Sequence, residues 1–192
     1  VRVNFPQSLQ KICSSGFANC NSLVQVTLPE NTEKISKKAF YQCASLTRVA
    51  LNHNLKLIGM SCFSECSRIS EITFPNSLQT IAAASFYKCT SLRRVVFGSG
   101  LQVIHSLAFS ECSSLEELSF PANLKVIRKK AFLKCPNLKS LRFGSQLEEI
   151  GDNAFFDCEL VTSIIGIPKK CIIGDNVFFK TSVADESWCC IL

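Results

Sequence analysis

Cysteine is the residue type that could do the most chemistry in this chain of 192 residues, which has 12 of them. Seven recur at a constant step of 23 residues, at positions Cys20, Cys43, Cys66, Cys89, Cys112, Cys135 and Cys158. If these residues stack about 5 Å apart, neighbouring Cα atoms lie within the range that a disulfide permits, although seven cannot all pair. Zinc sites usually use short ligand pairs such as C-x-x-C, and the sequence has none. We therefore expect buried, reduced thiols that pack as small apolar side chains.

The other residues with catalytic or metal-binding potential are few. His53 lies in a predicted turn, and neither it nor His105 stands near a nucleophile motif or a recurring acid. Cys62 and Cys66 form the most closely spaced pair within the repeats, and stoichiometric metal lost on their substitution would support a metal protein. We expect no catalytic residue, no cofactor and no metal, so the chain is predicted not to be an enzyme.

The C-terminus carries a different signal. The last four residues, Cys189-Cys190-Ile191-Leu192, fit the C-a-a-X pattern, in which a final Leu favours geranylgeranyl transfer to the cysteine. Lipidation at Cys189 would place the protein on the cytoplasmic leaflet of a membrane in a eukaryotic cell. One lipid gives only marginal binding, so stable attachment would need a second lipid or a bound partner. The flanking Asp185 and Glu186 oppose an anionic membrane, and a chance match is the alternative.

The elements that position these residues are repeats of 23 residues. One phenylalanine marks each of eight copies, at Phe17, Phe40, Phe63, Phe86, Phe109, Phe132, Phe155 and Phe178. An isoleucine column keeps the same step, at Ile12, Ile35, Ile58, Ile81, Ile104, Ile127, Ile150 and Ile173. One such unit cannot bury its apolar side chains alone, so the copies must stack into a solenoid. All 15 phenylalanines, including Phe156 and Phe179 beside the last copies, are predicted to be core.

The first copies indicate how each unit folds. The run from Leu23 to Leu28 predicts a short strand with Val26 and Leu28 facing inward and Gln25 and Thr27 outward. Pro29 ends this strand, and a second inward-facing segment precedes the isoleucine. The step from a small residue to phenylalanine, as in Ala39-Phe40, favours a helical or 3₁₀ turn.

The pattern Leu-x-x-Val-x-Leu-Pro, then x-x-x-x-x-Ile, then Ala-Phe-x-x-Cys-x-x-Leu resembles the BspA-type leucine-rich repeat, from residue 3 to about 180. The resemblance implies an α/β solenoid of leucine-rich repeat type, mostly β with short helical or 3₁₀ turns. We expect eight stacked coils with a parallel sheet on one face, over 1–180, followed by a tail over 181–192. Pro168 comes one position late and Thr181 replaces the expected Cys, so the repeat is predicted to stop there. The family implied is one of surface and interaction proteins that bind other proteins, with no catalytic site.

The outward strand positions form the natural docking face, because the core does not need them. Their charged members alternate in sign, namely Arg48, Glu71, Arg94, Glu117 and Arg142. The mixture lacks the basic stripe with interleaved aromatic residues that nucleic-acid binding requires. We therefore expect a protein partner and no nucleic acid; a solvated face with contacts elsewhere is the alternative.

Composition and charge limit the class of protein that this chain can be. The chain is 47% hydrophobic and 19% charged, as in a folded protein, and its net charge of +6 is spread without a dense basic block. It begins inside a repeat and without Met, which is compatible with a fragment of a longer protein. The sequence thus predicts a monomeric, non-enzymatic protein–protein interaction scaffold, tethered to a membrane if Cys189 is lipidated. The alternative is a secreted or cell-surface adhesin for host proteins.

Overall fold

The computed structural model describes residues 1–183, which form a parallel β-solenoid. One coil is a single 23-residue turn of this solenoid. Strands in neighbouring coils pair in parallel, so each residue lies beside the residue 23 positions later, as Ile12 lies beside Ile35. The strands are β1 Lys11–Ile12, β2 Gln25–Thr27, β3 Lys34–Ile35, β4 Arg48–Ala50, β5 Leu57–Ile58, β6 Glu71–Thr73, β7 Thr80–Ile81, β8 Arg94–Val96, β9 Val103–Ile104, β10 Glu117–Ser119, β11 Val126–Ile127, β12 Ser140–Arg142, β13 Glu149–Ile150, β14 Ser163–Ile165 and β15 Ile172–Ile173.

The strands lie on two sides of the solenoid. The odd-numbered strands contain the isoleucine column and form one continuous 8-stranded sheet in sequence order. The even-numbered strands form three separate ladders, β2–β4, β6–β8 and β10–β12–β14. The predicted parallel solenoid is confirmed, and its eight isoleucine strands span about seven full turns. The sheet that runs unbroken is the one on the isoleucine side.

The prediction of helical or 3₁₀ turns on the third side of each coil is wrong, because residues 1–183 contain no helix. Each coil places two non-glycine residues four positions apart in the left-handed region, as Lys38 and Gln42 do at φ 55° and 56°. Amides between them close tight turns, such as Tyr41 N–H to Lys38 O at 3.1 Å, while alternate amides cross to the next coil, such as Phe40 N–H to Cys62 O at 2.9 Å. A helix would use every amide within its own segment, so neighbouring coils would lose these bonds.

Stacked phenylalanine rings form the centre of the core. The rings of Phe40, Phe63 and Phe86 are fully buried, with centroids 5.3 Å apart from one coil to the next. The prediction that all phenylalanines are core is wrong for Phe179, whose side chain is 51% exposed, and Phe156, on which it stacks, is only partly buried. Both stand next to the buried column on a position that points outward, because they follow Phe155 and Phe178 by one residue.

The last coil within residues 1–183 keeps the contacts of the earlier ones, since β15 pairs with β13 and the ring of Phe178 stacks on Phe155. Thr181 is buried where earlier copies carry Cys, and its hydroxyl donates to Phe178 O at 2.7 Å. Cys189 and the rest of the C-a-a-X pattern lie outside the described residues. Within 1–183, no helix has the length and apolar character needed to cross a bilayer.

Candidate protein-binding surface

The cysteine column is a hydrogen-bonded ladder inside the solenoid. Each thiol from the second coil onward donates to a phenylalanine carbonyl of the preceding coil, as Cys66 Sγ does to Phe40 O at 3.1 Å and Cys112 Sγ to Phe86 O at 3.2 Å. The ten cysteines that the structure describes are free thiols. The column from Cys43 to Cys158 thus consists of buried, reduced thiols, as predicted, while Cys20 is only partly buried. The hydrogen bonds to phenylalanine carbonyls were not predicted.

Burial also makes the most enclosed of these thiols poor nucleophiles and poor metal ligands, whereas a hydrogen bond with Cys66 lowers the pKa of Cys43. Burial raises the pKa of Cys112 to about 12, and it raises the pKa of Cys89 and Cys135 as well. Thiolate is the reactive and metal-binding form, so a thiol that stays protonated is inert. Cys13, by contrast, is exposed. No cluster of three or more potential metal ligands occurs within residues 1–183.

Several surface charges outside the even-numbered strands form ion pairs between neighbouring coils. Lys56 Nζ lies 2.9 Å from Glu33, and a single guanidinium nitrogen of Arg128 contacts both carboxylate oxygens of Glu149 at 3.0 and 3.1 Å. The Tyr41 hydroxyl donates to Glu65 at 3.0 Å in the same manner. These pairs follow from the fold, because stacking brings residues 21 to 24 positions apart side by side.

The outward residues of the even-numbered strands form one surface, called the strand face below. The five charged residues that the sequence singled out lie on five successive strands, β4 to β12, and all five are exposed: Arg48, Glu71, Arg94, Glu117 and Arg142. Opposite charges occupy adjacent coils here too. Yet none of the five forms an ion pair within 4.0 Å among the described residues. The structure thus brings these residues onto one surface and leaves their charges unpaired.

A groove lies in the N-terminal half of the strand face. It has a volume of about 550 Å³, and its charged lining residues are Arg48, Glu71 and Arg94, with Thr47, Ser70 and Thr73 between them. Apolar side chains, among them the exposed Val24 and Val96, complete the lining.

The groove coincides with the first gap between ladders. Arg93 N–H donates to Ser70 O at 2.8 Å, and Thr47 N–H donates to Val24 O at 2.9 Å. The equivalent bond from Ser70 N–H to Thr47 O is not formed in the described part of the chain. This gap could not be predicted from the sequence, because the strand residues on both sides of it follow the same apolar–polar alternation.

Fold and surface together define a class: a leucine-rich repeat solenoid with an open, polar strand face. The BspA type leucine rich repeat region model matches residues 1–116 and 68–185 with 6 copies, and the chain belongs to this family. A comparison with curated protein sequences returns no match.

Solved structures of similar shape include several bacterial proteins. A leucine-rich repeat protein from Bacteroides ovatus has a TM-score of 0.66 at 23% identity, and the match covers 94% of this chain and 61% of that one. The T. pallidum leucine-rich repeat protein gives 0.67 at 29% identity, covering 93% and 75%. A leucine rich cell surface protein from Faecalibacterium prausnitzii gives 0.54 at 22%, covering 93% and 70%. The chain therefore spans about three fifths of the length of the first of these.

Proposed function

We propose that this protein is a non-catalytic protein-interaction module whose partner binds the strand face. The observation that carries the proposal is a row of exposed, unpaired charges of alternating sign on one surface, at Arg48, Glu71, Arg94, Glu117 and Arg142. Unpaired charges add specificity and association rate when a partner of complementary charge approaches. A rigid sheet also presents them at fixed spacing, which lowers the entropic cost of binding.

Site-specific photo-crosslinking in the cells of origin tests this proposal. A photoreactive amino acid replaces Thr73 on the strand face or Thr80 on the isoleucine sheet, two residues that lie in the same part of the chain. We expect a discrete protein adduct from position 73 and none from position 80. Adducts from position 80 alone would contradict the proposal.

Charge reversal supplies the matched variants. Arg94→Glu combined with Arg142→Glu should leave folding intact and abolish the adduct at position 73. Lys11→Glu combined with Lys34→Glu changes the net charge equally, on exposed residues of the isoleucine sheet, and should leave the adduct unchanged. Equal loss of the adduct in both double variants would show that net charge, and not the strand face, controls capture.

Two locations suit such a module, and each rests on a different observation. A cell-surface position is motivated by the structural relative described as a cell surface protein, and it fits an adhesin-like role. Attachment to the cytoplasmic leaflet is motivated by the terminal Cys189-Cys190-Ile191-Leu192 alone. Intact-mass measurement of the protein from its native cell separates them, because a geranylgeranyl group adds mass at Cys189, whereas an unmodified C-terminus removes the tether.

A further inference from the structure

We infer that the groove binds an extended peptide segment in which two acidic residues, three positions apart, flank a basic one. This inference rests on the proposed function and deepens it, since it assigns the kind of partner and the part of the strand face that is used. Its starting point is the order of charges along the groove, which is Arg48, Glu71 and Arg94 on three consecutive coils.

The charge order selects a partner of mixed sign. A uniformly acidic segment would meet Glu71 between the two arginines, and a uniformly basic one would meet both arginines. Like charges held close together are destabilising, so either segment loses part of the gain made at the matching positions. A segment with the order acidic, basic, acidic meets an opposite charge at all three coils.

The spacing of the coils sets the separation of the acidic residues. Consecutive coils stack at 5.3 Å, measured between the rings of Phe40 and Phe63. Arg48 and Arg94 are two coils apart and so stand on the order of 11 Å from each other. An extended segment in the polyproline II conformation rises about 3.1 Å per residue with three residues per turn, so residues i and i+3 face the same side at roughly this separation. The acidic residues of the segment therefore lie at positions i and i+3, and the basic residue lies between them.

The lining of the groove suits a peptide backbone. The hydroxyls of Thr47, Ser70 and Thr73 can donate and accept hydrogen bonds. At the gap between β4 and β6, Ser70 N–H and Thr47 O do not make the bond that joins coils elsewhere. The volume of about 550 Å³ lies within the usual size of ligand sites, about 300–1,000 Å³, and accommodates a short segment rather than a folded domain.

An NMR titration tests the inference on the whole chain. The probe is an octapeptide with blocked ends, built on glycine and serine, with Asp at its third and sixth positions and Lys at its fifth. We expect concentration-dependent shifts of the backbone amides of Thr47, Arg48, Ser70 and Glu71, and none in the isoleucine sheet. An octapeptide with Asp replaced by Lys and Lys by Asp should bind at least about tenfold more weakly.

A specificity swap makes the test decisive. The triple variant Arg48→Glu, Glu71→Arg, Arg94→Glu reverses the sign of all three charges that line the groove. It should therefore reverse the preference between the two octapeptides. The control variant Lys11→Glu with Lys34→Glu should keep the original preference. No amide shifts, shifts outside the groove, or equal binding of both octapeptides would overturn the inference.

Failure of the inference is distinguishable from failure of the proposed function. If position 73 crosslinks to a partner while neither octapeptide binds, the strand face recognises a folded surface and the peptide assignment is wrong. If the octapeptide binds with the expected preference while crosslinking gives no adduct at position 73, the inference about the groove stands without a captured partner.

Discussion

Left-handed backbone at non-glycine residues is the most costly local feature of this chain. It recurs at two positions in every coil, from Ser15 and Asn19 in the first to Asn176 and Lys180 in the last. A side chain at such a position costs roughly 1–2 kcal/mol, because Cβ approaches the following carbonyl oxygen. None of these residues is Val, Ile or Thr, the types for which the cost is highest. This exclusion is the sequence signal that could have revealed the turns.

Three consecutive alanines allow this cost to be measured. Ala84 has φ 53°, whereas Ala83 does not have positive φ, and both are partly buried. Ala84→Gly should raise the free energy of unfolding by up to about 1 kcal/mol, because glycine adopts this conformation without strain. Ala83→Gly should lower it by about 0.5–1 kcal/mol through greater entropy of the unfolded chain. Urea denaturation of both variants checks this; equal destabilisation would contradict the turn geometry.

The buried thiols predict a loss of stability in alkali. Burial raises the pKa of Cys112 to about 12, while an unfolded cysteine titrates near 8.5. Above that value the unfolded chain releases a proton that the folded chain retains, so stability falls as pH rises, by about 1.4 kcal/mol per pH unit for each such thiol. Below about pH 8 the thiol is protonated in both the folded and the unfolded chain, so its ionisation takes no stability away.

Denaturation curves between pH 8 and 10 measure this slope. Cys112→Ala should reduce the slope of unfolding free energy against pH by up to about 1.4 kcal/mol per pH unit, the contribution of one proton. This change is independent of the effect on absolute stability. Leu115→Ala is the matched control, because Leu115 is buried in the same core and carries no titratable group, so it should leave the slope unchanged. A slope that does not respond to Cys112→Ala would show that this thiol ionises in the folded protein.

At the scale of elements, the phenylalanine column carries the largest packing contribution. Phe86 is fully buried and stacks on Phe63 and Phe109 at 5.3 Å each. Phe86→Ala should destabilise the protein by about 3–5 kcal/mol through lost burial and a cavity. Phe179→Ala removes the same atoms from a half-exposed position and should cost no more than about 1 kcal/mol. Thermal unfolding of the two variants compares these effects directly, and similar costs would contradict the assigned burial.

The elements also show where sequence reasoning succeeded and where it stopped. Alternation in Gln25-Val26-Thr27 was enough to predict which side chains face inward, because strand geometry has a period of two. A helical turn was the wrong expectation at Ala39-Phe40, because amides of this segment bond across coils and a single repeat cannot show that. The strand-face residues were identified from their columns. Their lack of ion pairs, and the gap at Ser70, depend on side-chain placement and coil spacing.

At the scale of the molecule, coils contact only their neighbours, which predicts how mutations combine. Phe63→Leu and Phe86→Leu alter rings in direct contact, so their effects on unfolding free energy should deviate from additivity by 0.5 kcal/mol or more, a roughly typical coupling for touching residues. Phe40→Leu and Phe132→Leu lie four coils apart and should add within about 0.5 kcal/mol. Double-mutant cycles check both pairs. Strong coupling in the distant pair would indicate that the solenoid does not behave as a one-dimensional stack.

The carbonyl that each thiol meets belongs to the coil before it, and each crossing amide of the phenylalanine turn reaches the coil after it. A coil therefore needs the same partners on both sides wherever it stands in the stack. In-frame duplication of a 23-codon segment would insert one more coil while keeping these repeated backbone and thiol hydrogen bonds, and deletion would remove one coil in the same way. Unequal recombination between such segments can lengthen or shorten the strand face by whole coils. Each added coil would contribute its own charge to the series of charges that contacts a partner.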